Sequence, residues 1–135
     1  MKNRNLILLS AMAALILASL ACSFGGEPGV SDIYMAKDVD GDVQTSVFSP
    51  ADDFYVFFDV NAADTGTYFE GRWFALDIEG EDPNTAFKTI GYNLEDGVRT
   101  VYFQLFNDEE WPVGTYRVDI YMEGTKVGEH QFSVQ

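Results

Sequence analysis

Three groups of residues in this chain have types and spacings that could do chemistry. The first is Asp38-Val39-Asp40-Gly41-Asp42, three carboxylates at alternate positions beside a glycine. Clustered carboxylate oxygens suit a hard cation such as calcium. An EF-hand loop needs its glycine just after the third ligand and a bidentate glutamate at its end. Counted from Asp38, Gly41 comes before the third ligand and Ser49 stands where the glutamate belongs. Asp and Gly tolerate turn geometry, so the segment is expected to be a solvated turn, with no metal or cofactor held there. The second group is His130, the one histidine, which shares strand parity with Phe132 and Val134. That placement suits a partly buried structural imidazole better than a general base. The third is Cys22, the one cysteine, which has no partner for an internal disulfide.

Nothing else in the chain carries a reaction. There is no Gly-x-Ser-x-Gly elbow, no phosphate-cradling glycine loop, no His-Glu-x-x-His and no Cys/His cluster. Asp52-Asp53 and Asp108-Glu109-Glu110 are expected to be solvated loop charges. The sequence therefore predicts a protein that is not an enzyme, without catalytic residues.

The residues that would position Cys22 come before it. Lys2 and Arg4 precede an apolar run over 6–20, and Ser19-Leu20-Ala21 leads into Cys22. Positive charge, a short apolar segment and small residues at the end form the layout of a secretory signal. The run is shorter than the roughly 17–25 residues of a membrane span. The segment Leu20-Ala21-Cys22 resembles the lipobox of bacterial lipoprotein precursors. That resemblance implies cleavage before Cys22, a diacylglyceryl thioether on its sulfur and acylation of the new amino terminus by a palmitate-like chain. Residues 1–21 are then a signal peptide, 22–31 a lipidated cysteine with a Gly/Pro/Ser-containing tether, and 32–135 the folded domain. The location implied is lipid-anchored, on the cell membrane or outer membrane, facing away from the cytoplasm.

Removing the leader leaves 114 residues with 6 basic and 22 acidic side chains, enough for one core without disulfide staples. So acidic a surface repels nucleic acid and anionic headgroups, and no nucleic-acid partner is expected. The 11 Phe and 7 Tyr argue for an ordered interior.

From residue 32 on, short alternating or aromatic-rich runs are divided by Gly, Pro, Asn and Asp, and no amphipathic helical period occurs. This patterning predicts an all-β sandwich or barrel. Seven strands are expected, over 33–37, 54–60, 68–78, 86–93, 99–106, 116–122 and 126–134. In the second, Phe54, Val56, Phe58 and Val60 should face the core, leaving Tyr55, Phe57 and Asp59 on the other face. Glu123-Gly124 has the signature of a tight hairpin.

The segment Trp111-Pro112-Val113-Gly114-Thr115-Tyr116, followed by Val118, Ile120 and the Gly124 turn, resembles the end of an immunoglobulin-like domain of bacterial surface lipoproteins. The resemblance implies a sandwich of about seven strands, a core tryptophan at Trp73 and a tyrosine corner at Tyr116. Val118 stands where antibody domains place a cysteine, so hydrophobic packing replaces their inter-sheet disulfide.

In such a sandwich the strands holding Trp73 and Tyr116 are neighbours. With those two pointing inward, alternation turns Arg72, Phe74, Leu76, Arg117, Asp119 and Tyr121 outward. These six form an expected binding patch, rich in the aromatic and arginine types enriched at interfaces. The function expected is a membrane-anchored binding or assembly module with a protein or carbohydrate partner at the cell surface. The alternative is an accessory domain for an envelope enzyme or transporter.

Overall fold

The computed structural model describes residues 26–135. The expected leader, Cys22 and the first tether residues lie outside the described residues. Eight strands form two sheets: β1 (Gly29–Ala36), β2 (Val47–Phe48), β3 (Phe54–Asn61), β4 (Tyr68–Ala75), β5 (Lys88–Asn93), β6 (Thr100–Leu105), β7 (Gly114–Met122) and β8 (Thr125–Val134). One sheet has the order β1-β3-β6 and the other β2-β8-β7-β4-β5. All pairings are antiparallel except that of β2 with β8.

Alternation builds the core. On β3, Phe54, Val56 and Phe58 are fully buried between the sheets, and Val60 packs against the same cluster. Tyr116, Val118 and Ile120 of β7 face them, together with Phe69 and Trp73 of β4 and Phe132 and Val134 of β8. Phe54 is the hub: its ring lies 4.9 Å from those of Phe48 and Phe132 and 4.7 Å from that of Trp111. Two-sided burial of aromatic rings at such distances supplies both apolar area and favourable ring geometry. The corner expected at Tyr116 is present, its hydroxyl donating to the Pro112 carbonyl at 2.6 Å. Glu123 and Gly124, with φ of 49° and 81°, make the two-residue hairpin between β7 and β8.

The other face of β3 is not solvated. Tyr55 and Phe57 are buried beneath a second, smaller apolar layer with Tyr34 and Ala36. Tyr34 stacks on Phe57 at 4.9 Å, and residues 37–46 fold over the pair, pinned by the Ala36–Gln44 bridge. Gly41 closes this lid. A Cβ there would come within 2.7 Å of the Tyr34 hydroxyl, and its φ of 73° favours glycine.

Three differences from the sequence expectation stand out. Strand β1 begins at Gly29, inside the stretch expected to be tether, because Gly29, Val30 and Ser31 pair with Asn61, Val60 and Asp59. Asp32, at φ 52°, is the extra residue that lets Val30 and Ile33 both turn inward. Strand β2 was not expected at all, and β4 stops at Ala75 rather than at residue 78.

Candidate functional site

The outer face of β4 and β7 carries five of the six residues expected to form a patch. The register brings them together as expected: Arg72 pairs with Asp119, and Phe74 with Arg117. Accessibility is where the structure corrects the expectation. Phe74 is only 7% exposed and Asp119 2%. The Arg117 guanidinium lies 4.7 Å over the Phe74 ring, while its Nε donates to Asp119 Oδ1 at 2.6 Å. Lys126 Nζ sits 3.4 Å from Asp119 Oδ2, and Glu129 reaches both cations at 3.6 and 3.5 Å. Arg72 donates to Glu70 at 2.9 Å and lies 3.8 Å over the Tyr121 ring. Leu76 is half-buried beyond the end of β4. This face is a self-satisfied lattice of ion pairs and cation–π contacts, and Phe74 and Asp119 present no contact surface.

A different feature gathers apolar side chains around open space. Ala75, Ile78, Glu81, Phe87, Trp111, Pro112 and Tyr116 line a cavity of about 130 Å³ that opens to solvent. Two loops and the strands β4 and β7 assemble it. Trp111 is held from the β6–β7 loop, its N–H donating to the Pro50 carbonyl and its indole Nε1–H to that of Asp52, both at 2.9 Å. Tyr116 is fixed by its corner. Phe87 ends the β4–β5 loop, tied by its N–H to the Trp73 carbonyl at 2.9 Å. The Phe87 ring meets that of Tyr116 at 78° and 6.2 Å and that of Trp111 at 48° and 6.4 Å. Burial, and then the Glu81 charge, push the Tyr116 phenol up to about 12. A second cleft of about 210 Å³ shares Phe87 and Trp111 and adds Lys88, Gln104, Leu105, Phe106 and Asp108.

This cavity lies at one end of the sandwich. Phe54 starts β3 beneath Trp111, whereas Asn61 ends it beside Gly29, where β1 begins. Seven strand steps separate the two ends by roughly 23 Å. Phe87, Ile78 and Glu81 were not anticipated. Trp111 and Tyr116 were, as parts of one motif.

No family model and no curated protein matches this chain. Among solved structures, an immunoglobulin-like protein from Pseudomonas aeruginosa superposes with a TM-score of 0.61 at 14% identity, over 84% of this chain and 100% of that one. The fold is immunoglobulin-like. The alkylpurine DNA glycosylase AlkC of Pseudomonas fluorescens, bound to DNA containing an abasic site analog, superposes with a TM-score of 0.50 at 10% identity. That match covers 82% of this chain but 31% of the glycosylase. At such identities the likeness establishes the fold alone.

Within this immunoglobulin-like frame the other chemical candidates have structural partners. The carboxylates of Asp38, Asp40 and Asp42 lie within 4.8 Å of one another. Asp38 accepts from the N–H groups of Val43 at 2.8 Å and Asp42 at 3.1 Å, the bonds of a loop holding its own turn. The Val43 N–H, the largest influence, holds the Asp38 carboxyl below the usual carboxylate range. His130 is half-buried with Nε2 2.8 Å from Ser46 Oγ, and burial lowers its pKa. A histidine whose folded pKa is depressed contributes stability that is present above the unfolded pKa of about 6.5 and is lost as pH falls through the folded value. Urea titrations between pH 6.5 and 5 should therefore show stability falling with pH by less than one proton's slope. His130→Gln should flatten that slope, and an unchanged slope would exclude His130 as its source.

Proposed function

We propose that this chain is a lipid-anchored, extracytoplasmic lipoprotein whose immunoglobulin-like sandwich is a non-enzymatic binding or assembly module. The observation that carries the binding role is the aromatic cavity at the end of the sandwich opposite the start of β1. A chain tethered through Cys22 would hold that end outward, toward a partner and away from the bilayer. Small concave sites lined by apolar and aromatic side chains with few polar groups are the usual form of a ligand site. His130 faces Ser46, and among the described residues no carboxylate is hydrogen-bonded to its ring.

Mass spectrometry of the mature protein should find Cys22 at the amino terminus, carrying lipid, and Cys22→Ala should leave an unprocessed precursor in the membrane. An unlipidated terminus at another residue would exclude the anchor. Gentle detergent extraction should then recover a partner with wild-type protein but not with a variant whose Phe87 is replaced. Recovery that ignores Phe87 would move the binding role off this cavity.

A further inference from the structure

We propose that the end cavity is an aromatic cage for an alkylated ammonium group, a quaternary or fully substituted cationic head with no N–H to satisfy. This rests on reading that cavity as the binding site. At about 130 Å³ it falls below the roughly 300 Å³ of a drug-sized pocket, so it accepts one compact head rather than a whole ligand.

The walls select the chemistry of that head. Phe87, Trp111 and Tyr116 contribute aromatic surface, and Pro112, Ala75 and Ile78 aliphatic surface. The side-chain protons that could serve a ligand are already committed. The Trp111 indole N–H donates to the Asp52 carbonyl, and the Tyr116 hydroxyl to that of Pro112. The cavity side chains thus offer no free donor to an anion or to a sugar's hydroxyl network. What remains is negative: aromatic rings, whose quadrupoles attract cations, and the exposed carboxylate of Glu81.

The rings stand close together. The centroids of Phe87 and Tyr116 lie 6.2 Å apart and those of Phe87 and Trp111 6.4 Å, so a compact cation seated among them is within cation–π range of more than one ring. The neighbouring cleft adds one cation, Lys88, and one carboxylate, Asp108, while Asp82 sits just beyond Glu81 on the same exposed loop. A net charge of −14 favours the approach of a cation.

The test uses the full mature protein in maltoside micelles, with tetramethylammonium chloride as probe and sodium chloride at equal ionic strength as control. Saturable quenching or shift of tryptophan emission is expected, with an upfield shift of the probe's methyl protons from the ring currents. Phe87→Leu keeps apolar bulk but removes the ring, and should weaken binding about tenfold. Glu81→Gln should weaken it about threefold, less at high salt. Absence of a saturable response in wild type overturns the proposal. So does competition by tert-butanol equal to that of the cation, or full binding by Phe87→Leu. Choline against phosphocholine separates a free cation from a headgroup: either one binding supports the cage, and the tighter names the source. Partner capture that depends on Phe87 but resists tetramethylammonium removes this ligand class while leaving the binding role standing.

Discussion

Trp73→Ala is expected to destabilise the domain by about 3–5 kcal/mol, seen as a lower urea midpoint at unchanged m-value. The indole is fully buried on β4, its ring 6.3 Å from Phe54 and 5.9 Å edge-on from Phe132. Phe54 and Phe132 come from strands in opposite sheets, so no single shift can close the space an alanine would leave. Part of the indole is dispensable, however. Its Nε1 is buried without a hydrogen-bond partner, and an orphaned donor costs on the order of 1–3 kcal/mol. Trp73→Phe removes that donor along with one ring, and the two effects oppose. It should cost about 1 kcal/mol, far less than the alanine variant. Equal losses in the two variants would show that Nε1 is satisfied in solution, for example by water.

Arg117→Met should cost about 2–4 kcal/mol, below the upper end for a fully buried pair because the Arg117 side chain is 25% exposed. The substitution keeps an apolar stem over Phe74 but leaves the Asp119 carboxylate, 3% exposed, with Lys126 at 3.4 Å as its remaining cation. An uncompensated buried charge is what makes losing one partner expensive. Replacing both residues, Arg117→Met with Asp119→Leu, should restore most of the stability. A double variant as unstable as the single one would mean that the arginine acts through its packing on Phe74 rather than through the carboxylate.

The two substitutions also show which levels of structure were legible in the sequence. Alternation placed Trp73 inside and Phe74 outside correctly, because parity in a strand dictates face. It could not say that Phe74 and Asp119 are covered, since the cover is the long Arg117 side chain, and a flexible stem leaves no periodic trace. The hairpin at Glu123-Gly124 and the corner at Tyr116 were legible because local backbone chemistry determines both. Strand β2 was not: two residues pairing in parallel with β8 carry no pattern of their own. Gly29–Ser31 looked like tether by composition, yet the edge of β3 recruits them. Of the cavity, Trp111 and Tyr116 stood out within one motif. Phe87 and Glu81 reach them only through the packing of a separate loop, which no local spacing announces. Tyr55 and Phe57 on the back of β3 were a clue, since two aromatics on a nominally solvated face imply a second cover, supplied by Tyr34 and residues 37–46.

The direction in which β1 runs has a mechanical consequence. It starts beside Asn61 at one end of the molecule and lies antiparallel to β3, whose other end supports Trp111. A pull applied between Gly29 and a partner held at the far cavity therefore acts along the strand axes. Such a load is shared by the whole β1–β3 ladder in shear, where a pull across the strands would break its bonds one at a time. The irregularity at Asp32 divides that ladder into a short outer segment, Gly29–Ser31, and a longer inner one from Tyr34 to Ala36 lying against the buried aromatics. Under tension the outer segment should yield first, releasing a few residues while both sheets stay closed.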